Sequence, residues 1–300
     1  MEKLHTPVLL NEVIANLNLT IGSTVVDGTL GFGGHATKIC DEIGPTGTLV
    51  GIDADATALH QAEKNLANQP CRQLLVKGNF RQLKSLCRDL EIESANAILL
   101  DLGVNSSQLD LSGRGFSFRR DEPLLMTLDD SPDKKNLTAA DLVNTLGSEA
   151  LAGIIYGYGE ESFSRQIADA IVKARSDGGP ITTTGRLTQI IEGAVPVWYT
   201  KRKIHPATKT FQALRIAVND ELGALEDGLA GAWDLLSVSG RLAVISFHSL
   251  EARIVKKFFV SKKQAGIGTL INKHAIKPTR DEVKANPRSR SAELRVISKN

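Results

Sequence analysis

The stretch that most constrains the chain runs from Thr24 to Ala36, Thr-Val-Val-Asp-Gly-Thr-Leu-Gly-Phe-Gly-Gly-His-Ala, with an acid following at Asp53. Val25 and Val26 are β-branched and apolar, as a short buried strand requires, and Asp27 ends the apolar run. Glycines at 28, 31, 33 and 34 then allow backbone angles closed to other residues and let a ligand approach the main chain. Gly34 to Ile43 reads as a helix whose first turn points free N–H groups at whatever the loop holds. A strand, a glycine loop, a helix and a second strand ending in Asp53 together make a nucleotide-type cradle.

Two cofactor classes compete for that cradle. Gly31-Phe32-Gly33-Gly34-His35-Ala36 satisfies the dinucleotide pattern G-x-G-x-x-[G/A], which admits a nicotinamide or flavin cofactor. A carboxylate at Asp27 repels a pyrophosphate but stabilises a cation, and S-adenosylmethionine carries a sulfonium and an ammonium and no phosphate. Asp53 would accept hydrogen bonds from ribose hydroxyls with either ligand and does not separate them.

Apolar runs alternate with helical periodicity through the first hundred residues. An arm and helix over 4–19 precede the first strand; strand two (49–52), a helix (55–66), strand three (74–76) and strand four (97–101) follow. Such alternation predicts a parallel sheet with right-handed crossovers and a ligand at the carboxyl ends of its strands. Asp27, Asp53, Phe80 and Asp101 all fall at or just beyond those ends. Phe80 either stacks on an adenine or belongs to the core. After Gln108 the alternation stops. A Gly- and Arg-rich loop over 113–120 leads into helical patterns near 138–146, 149–156, 162–175 and 184–194. The sheet pattern resumes with one long helix over 208–236, strand five at 241–247, a helix opened by His248-Ser-Leu-Glu251, and closing strands near 269–274 and 294–297. The expected organisation is a discontinuous Rossmann-like α/β domain, 1–108 with 208–300, and an inserted helical substrate-recognition domain, 109–207.

Composition narrows the setting. At 42% hydrophobic and 23% charged the chain is ordinary for a soluble globular protein. No apolar run reaches membrane-span length and the first residues carry no signal-peptide core, so the cytoplasm is the expected compartment. Cys40, Cys71 and Cys87 are odd in number and unclustered; they read as reduced packing residues with no metal-ligand spacing. The residues from Ala252 to Asn300 hold thirteen Lys or Arg against three acids, a net +10 that suits either a solvated face or a phosphate backbone. A homodimer stays open.

Six separated motifs, in order, give a family resemblance covering nearly the whole chain. They are the run from Asp27 to His35, Asp101-Leu-Gly-Val with Ser106 and Gln108, Arg114-Gly-Phe-Ser-Phe118, His205 to Arg215, Ile245 to Glu251, and Asn286-Pro-Arg-Ser-Arg-Ser291. The sequence closely resembles the RsmH (MraW) family of bacterial 16S ribosomal RNA methyltransferases. The resemblance implies a class I methyltransferase fold, S-adenosylmethionine as donor, and N4 of a decoding-centre cytidine as acceptor, with the assembled small subunit as substrate. Carried over residue by residue, it implies cofactor contacts at Gly33, Gly34, His35, Asp53, Phe80, Asp101 and Gln108, to which the cradle adds Asp27 and Gly31. The chain departs from the family at Leu125 and Thr127, where an acid and a base are usual, and at Ser107, where a proline is common.

The exocyclic amine of cytosine is a poor nucleophile, so acceptors that orient its N–H groups are needed; Asp101, Asn105 and Ser106 fall where such groups belong. Arg114, Arg119 and Arg120 with Phe116 and Phe118 read either as a phosphate clamp with stacking rings or as a loop packing its aromatics. His205, Lys209, Arg288 and Arg290 are further candidates for RNA contact, and His248 either touches substrate or caps its helix. A nicotinamide-dependent dehydrogenase and a non-catalytic RNA-binding assembly factor are the alternatives to a methyltransferase.

Overall fold

A computed structural model describes residues 7–103, 112–128 and 137–300. The chain divides into two compact units, Met1–Gly103 with Leu222–Asn300, and Val104–Glu221.

In the first unit a seven-stranded sheet runs in the order β3-β2-β1-β4-β5-β7-β6. Its strands are β1 (Thr24–Asp27), β2 (Thr48–Asp53), β3 (Arg72–Lys77), β4 (Ala95–Asp101), β5 (Leu236–Ser246), β6 (Gly268–Leu270) and β7 (Glu293–Lys299). Strands β1 to β5 pair in parallel, and β7 enters antiparallel between β5 and β6. The order reverses between β1 and β4. There the crossovers before and after leave on opposite faces, which opens a crevice at the strand ends.

Both sheet faces are apolar and both are covered. Val25, Leu49, Leu99 and Ile245 face the helices Leu10–Leu17, Gly34–Ile43 and Ala56–Leu66. Val26, Ile52, Leu100 and Val244 face Leu83–Asp89, Glu221–Leu235 and Ser249–Gln264. Helix starts follow the local chemistry: Asp55 accepts the N–H groups of Thr57 and Ala58, satisfying donors that would otherwise be orphaned.

Two expectations need correction. The single helix over 208–236 is two, Ala207–Asn219 and Glu221–Leu235, because Asp220 adopts a left-handed conformation (φ 46°). Asp tolerates that region better than most residues, and Arg215 braces the break by two 2.8 Å bonds to Glu221. The boundary expected at 207/208 therefore falls at 221/222, and Phe211 and Leu214 join the core of the second unit. The cysteines differ too. Cys40 and Cys71 are joined in a disulfide with their Cα atoms 5.4 Å apart, while Cys87 is free and buried.

The second unit packs the helices Ala139–Thr145, Ser148–Gly159, Ser164–Gly178, Thr184–Ala194 and Ala207–Asn219 around Leu124, Ile155, Ile171, Leu187 and Phe211. Asn219 pins an incoming loop: its Oδ1 accepts from Leu128 N and its Nδ2 donates to Met126 O, both at 2.8 Å. Met126 sits at φ 59° between these bonds. Asn219→Ala is expected to destabilise the protein by about 1–3 kcal/mol, since two partly buried backbone groups lose their partner. Urea denaturation measures this, and an unchanged midpoint contradicts it.

Candidate active site

Three acids end three adjacent strands: Asp53 on β2, Asp27 on β1 and Asp101 on β4. Asp27 is 1% exposed, and its Oδ1 accepts from the Thr29 amide at 3.1 Å and hydroxyl at 3.4 Å. Burial pushes its carboxyl from the ordinary 3.8 up to about 7, with the Asp53 charge adding to the rise and the Thr29 bonds opposing it. Burial likewise raises Asp53, although both its oxygens accept backbone N–H groups, Gly31 at 2.8 Å and Asp55 at 2.9 Å. Asp53 thereby ties the glycine loop to the end of β2.

That loop depends on glycine at two points. Gly33 has φ 80°, a region unfavourable to side chains, and a Cβ on Gly34 would lie 2.6 Å from Pro7 Cγ. The helix Gly34–Ile43 starts here, and His35 in its first turn is buried. His35 Nε2 lies 3.0 Å from the Val8 carbonyl and Nδ1 lies 3.6 Å from Asp101 Oδ2.

Asp101 is the pivot of the rim. Its N–H donates to Thr29 Oγ1 at 2.6 Å, so one threonine links the ends of β1 and β4. Its Oδ1 is buried and has no hydrogen-bond partner among the described residues. Burial, then the charges of Asp27 and Glu251, raise its carboxyl well above the usual range. Thr29 and Glu251 are rim residues that sequence reasoning did not single out. The Asp-x-Thr spacing of a turn that bonds its own backbone was the available signal for Thr29.

Several expected site residues have other partners. Phe80 opens a short 3₁₀ turn and packs in the core against the helix Glu221–Leu235, where a Cβ on Gly228 would meet its ring at 2.5 Å. His248 caps the helix Ser249–Gln264: its Nδ1 accepts from Glu251 N, and Glu251 Oε2 accepts the N–H groups of Phe247 and His248. Asn105, Ser106 and Gln108 lie outside the described residues.

Within the second unit, Phe118, Arg119, Lys203, Ile204, His205 and Thr208 line a recess of about 570 Å³. Phe118 stacks on His205, with centroids 4.6 Å apart and planes at 21°. His205 is fixed by Ala207 N to its Nδ1 and by Glu192 at 3.1 Å from its Nε2. Of the two readings of Arg114 and Phe116, clamp or loop packing, the contacts are those of loop packing. Arg114 donates to the carbonyls of Thr127 and Leu128, its guanidinium lies 5.6 Å from the Phe116 ring, and Phe116 is buried. Lys209 caps a helix end, donating to Glu160 O at 2.7 Å. Arg288 and Arg290 are exposed on the 3₁₀ turn Pro287–Ser291 of the first unit.

A glycine cradle at the switch point of a 3-2-1-4-5-7-6 sheet, rimmed by carboxylates, defines a Rossmann-like methyltransferase of class I, whose donor is cationic. The model of the MraW methylase family matches residues 2–300, and the chain belongs to that family. A protein of Syntrophotalea carbinolica named Ribosomal RNA small subunit methyltransferase H is 46% identical over 98% of this chain and 97% of its own. One of the same name from Geobacter sulfurreducens is 46% identical over 98% of both chains. Among solved structures, a putative rRNA-methylase from Clostridium thermocellum aligns over 99% of this chain and 100% of its own at 14% identity, with a TM-score of 0.48. The dehydrogenase alternative falls with the family assignment.

The methyl donor is S-adenosylmethionine, and the residues present suit it: the rim offers the buried Asp27 carboxylate and the Asp101 Oδ1 atom, which has no partner among the described residues, to a ligand bearing two cationic groups. Asp53→Ala is expected to weaken donor binding by about 1–3 kcal/mol through loss of a half-buried acceptor, read by calorimetric titration; equal affinity contradicts it. A second expectation concerns the unliganded protein. Because the Asp27 carboxyl is raised in the folded state, its contribution to stability is full below the ordinary 3.8 and is lost as pH rises through about 7. Thermal unfolding of Asp27→Asn should flatten that decline, whereas a parallel decline in both proteins contradicts it.

Proposed function

We propose that the chain methylates N4 of a cytidine in the decoding centre of 16S ribosomal RNA, in the cytoplasm, with the assembled small subunit as substrate. The observation that carries this reading is Asp101, a carboxylate on the rim with a raised proton affinity and an oxygen without a hydrogen-bond partner among the described residues. Such a group accepts an N–H and then the proton of an amine acceptor. The names of the close relatives, which specify small-subunit ribosomal RNA, support the substrate class.

S-adenosylmethionine, when bound, supplies a methyl group on a sulfonium, open to in-line attack. Asp27, Asp53 and the loop from Gly31 to Gly34 would hold it, and His35 would brace Asp101 through Oδ2. The cytosine amine shares its lone pair with the ring. Asp101, with Asn105 and Ser106 from the adjoining segment, would accept its N–H groups and free that lone pair. Attack through cytosine C5 would instead need a thiolate. Cys87 is buried with its thiol pushed up to about 11, and Cys40 and Cys71 are bonded to each other, so no cysteine fits that task.

Labelled donor given to purified small subunits and to naked 16S RNA tests the reading, with nucleoside mass spectrometry of the product. Transfer to subunits yielding N4-methylcytidine is expected. No transfer to either favours the non-catalytic alternative. Asp101→Asn, similar in shape, should lower kcat by about 10²–10⁴-fold, and a kcat within error of the unaltered chain contradicts the assigned role.

A further inference from the structure

The segment Val197–Ile204 of the second unit, Val-Trp-Tyr-Thr-Lys-Arg-Lys-Ile, carries chemistry that the methyl-transfer rim does not use. Trp198 is 60% exposed, Val197 71% and Ile204 61%. Clustered exposed apolar side chains of this size mark a surface that a partner covers.

The tryptophan is held in place. Phe163 and Tyr199 pack edge-on against it, at 5.9 Å and 63° and at 5.7 Å and 86°. Tyr199 is itself anchored, its hydroxyl donating to the buried Glu161 at 2.6 Å. The ring thus presents area to solvent with little freedom left to lose on binding.

Cations follow it in the chain. The Arg202 guanidinium lies 5.9 Å from the Trp198 centroid and 5.2 Å from that of Tyr199. Lys201 and Lys203 flank it and are exposed, and Arg119 shares the adjoining recess with Lys203. Among the described residues no ion pair engages Lys201, Arg202, Lys203 or Arg119. Protein-binding surfaces are poor in lysine, whereas a fixed aromatic with a guanidinium on it and exposed lysines next in the chain, none of them in an ion pair among the described residues, matches a polyanion with flat bases. A duplex keeps its bases stacked on one another, so the ring requires an unpaired strand.

We infer that this surface binds single-stranded RNA, a base stacking on Trp198 and phosphates pairing with Lys201, Lys203 and Arg119. The inference rests on the RNA reading above and extends it to a contact surface made by the inserted unit.

Trp198 and Trp233 are the only tryptophans, and Trp233 is 4% exposed, so quenching of emission by RNA reports on Trp198. The full chain is titrated with a short single-stranded oligoribonucleotide while anisotropy of a labelled copy measures affinity independently. Saturable quenching that weakens with added salt is expected, and Trp198→Ala should lower affinity about tenfold, the loss of one stacked base. Trp198→Phe, which keeps a ring, should lose the quenching and keep most of the affinity. Lys201→Glu with Lys203→Glu should also weaken binding. RNA binding without quenching, or equal affinity in Trp198→Ala, overturns the inference. Quenching by small subunits but not by the oligonucleotide would indicate a protein-docking face and overturns it too. Labelled-donor transfer by the unaltered chain tests the activity separately: transfer retained with no RNA contact at Trp198 sinks this inference alone.

Discussion

Carboxylates gathered at the ends of three adjacent strands set the terms for the rest of the first unit. Burial raises Asp27, Asp53 and Asp101 together, and each is raised further by neighbouring acids, Asp27 by Asp53, Asp53 by Asp55, and Asp101 by Asp27 and Glu251. Such a rim is relieved only by protons or by a cation. The surrounding structure answers this need: Thr29 joins two of the strands, Gly31 and Asp55 donate backbone N–H groups to Asp53, and His35 stands 3.6 Å from Asp101. A donor with a sulfonium and an ammonium completes what the protein leaves unbalanced.

The second unit is organised by backbone satisfaction. Asn219 and Arg114 hold the carbonyls and amides of residues 126 to 128, a loop that the helical core alone would not fix. The departure from the family pattern falls here. Leu125 is half-buried and Thr127 is 3% exposed with a hydroxyl that has no partner among the described residues, so the segment is folded in around apolar and small polar side chains, with backbone bonds to hold it.

Much of the sheet was legible because each strand is a short apolar run closed by a residue of different chemistry. Val25-Val26-Asp27 and Ala97 to Asp101 end where β1 and β4 end, and Leu49 to Ile52 falls one residue inside β2 at each end. The helix break was hidden, since apolar periodicity continues from Ala207 to Leu235 and only the left-handed Asp220 interrupts it. The disulfide was hidden for another reason: Cys40 and Cys71 are 31 residues apart and meet only once the helix Gly34–Ile43 has packed on the sheet. Side-chain destinations were the least readable. The sequence shows that Arg114 and Lys209 are polar, but whether they face a ligand or a backbone carbonyl depends on where other segments place unpaired groups, while His248 turns to the Glu251 amide of its own helix.

The most direct test of the cationic-donor rim is the count of protons exchanged when the donor binds. Calorimetry near pH 7, repeated in buffers of different ionisation enthalpy, yields that count. S-adenosylmethionine should release protons as raised carboxylates ionise against it, and S-adenosylhomocysteine, lacking the sulfonium, should release fewer. Identical counts for the two ligands, or net proton uptake with the methyl donor, would contradict the account.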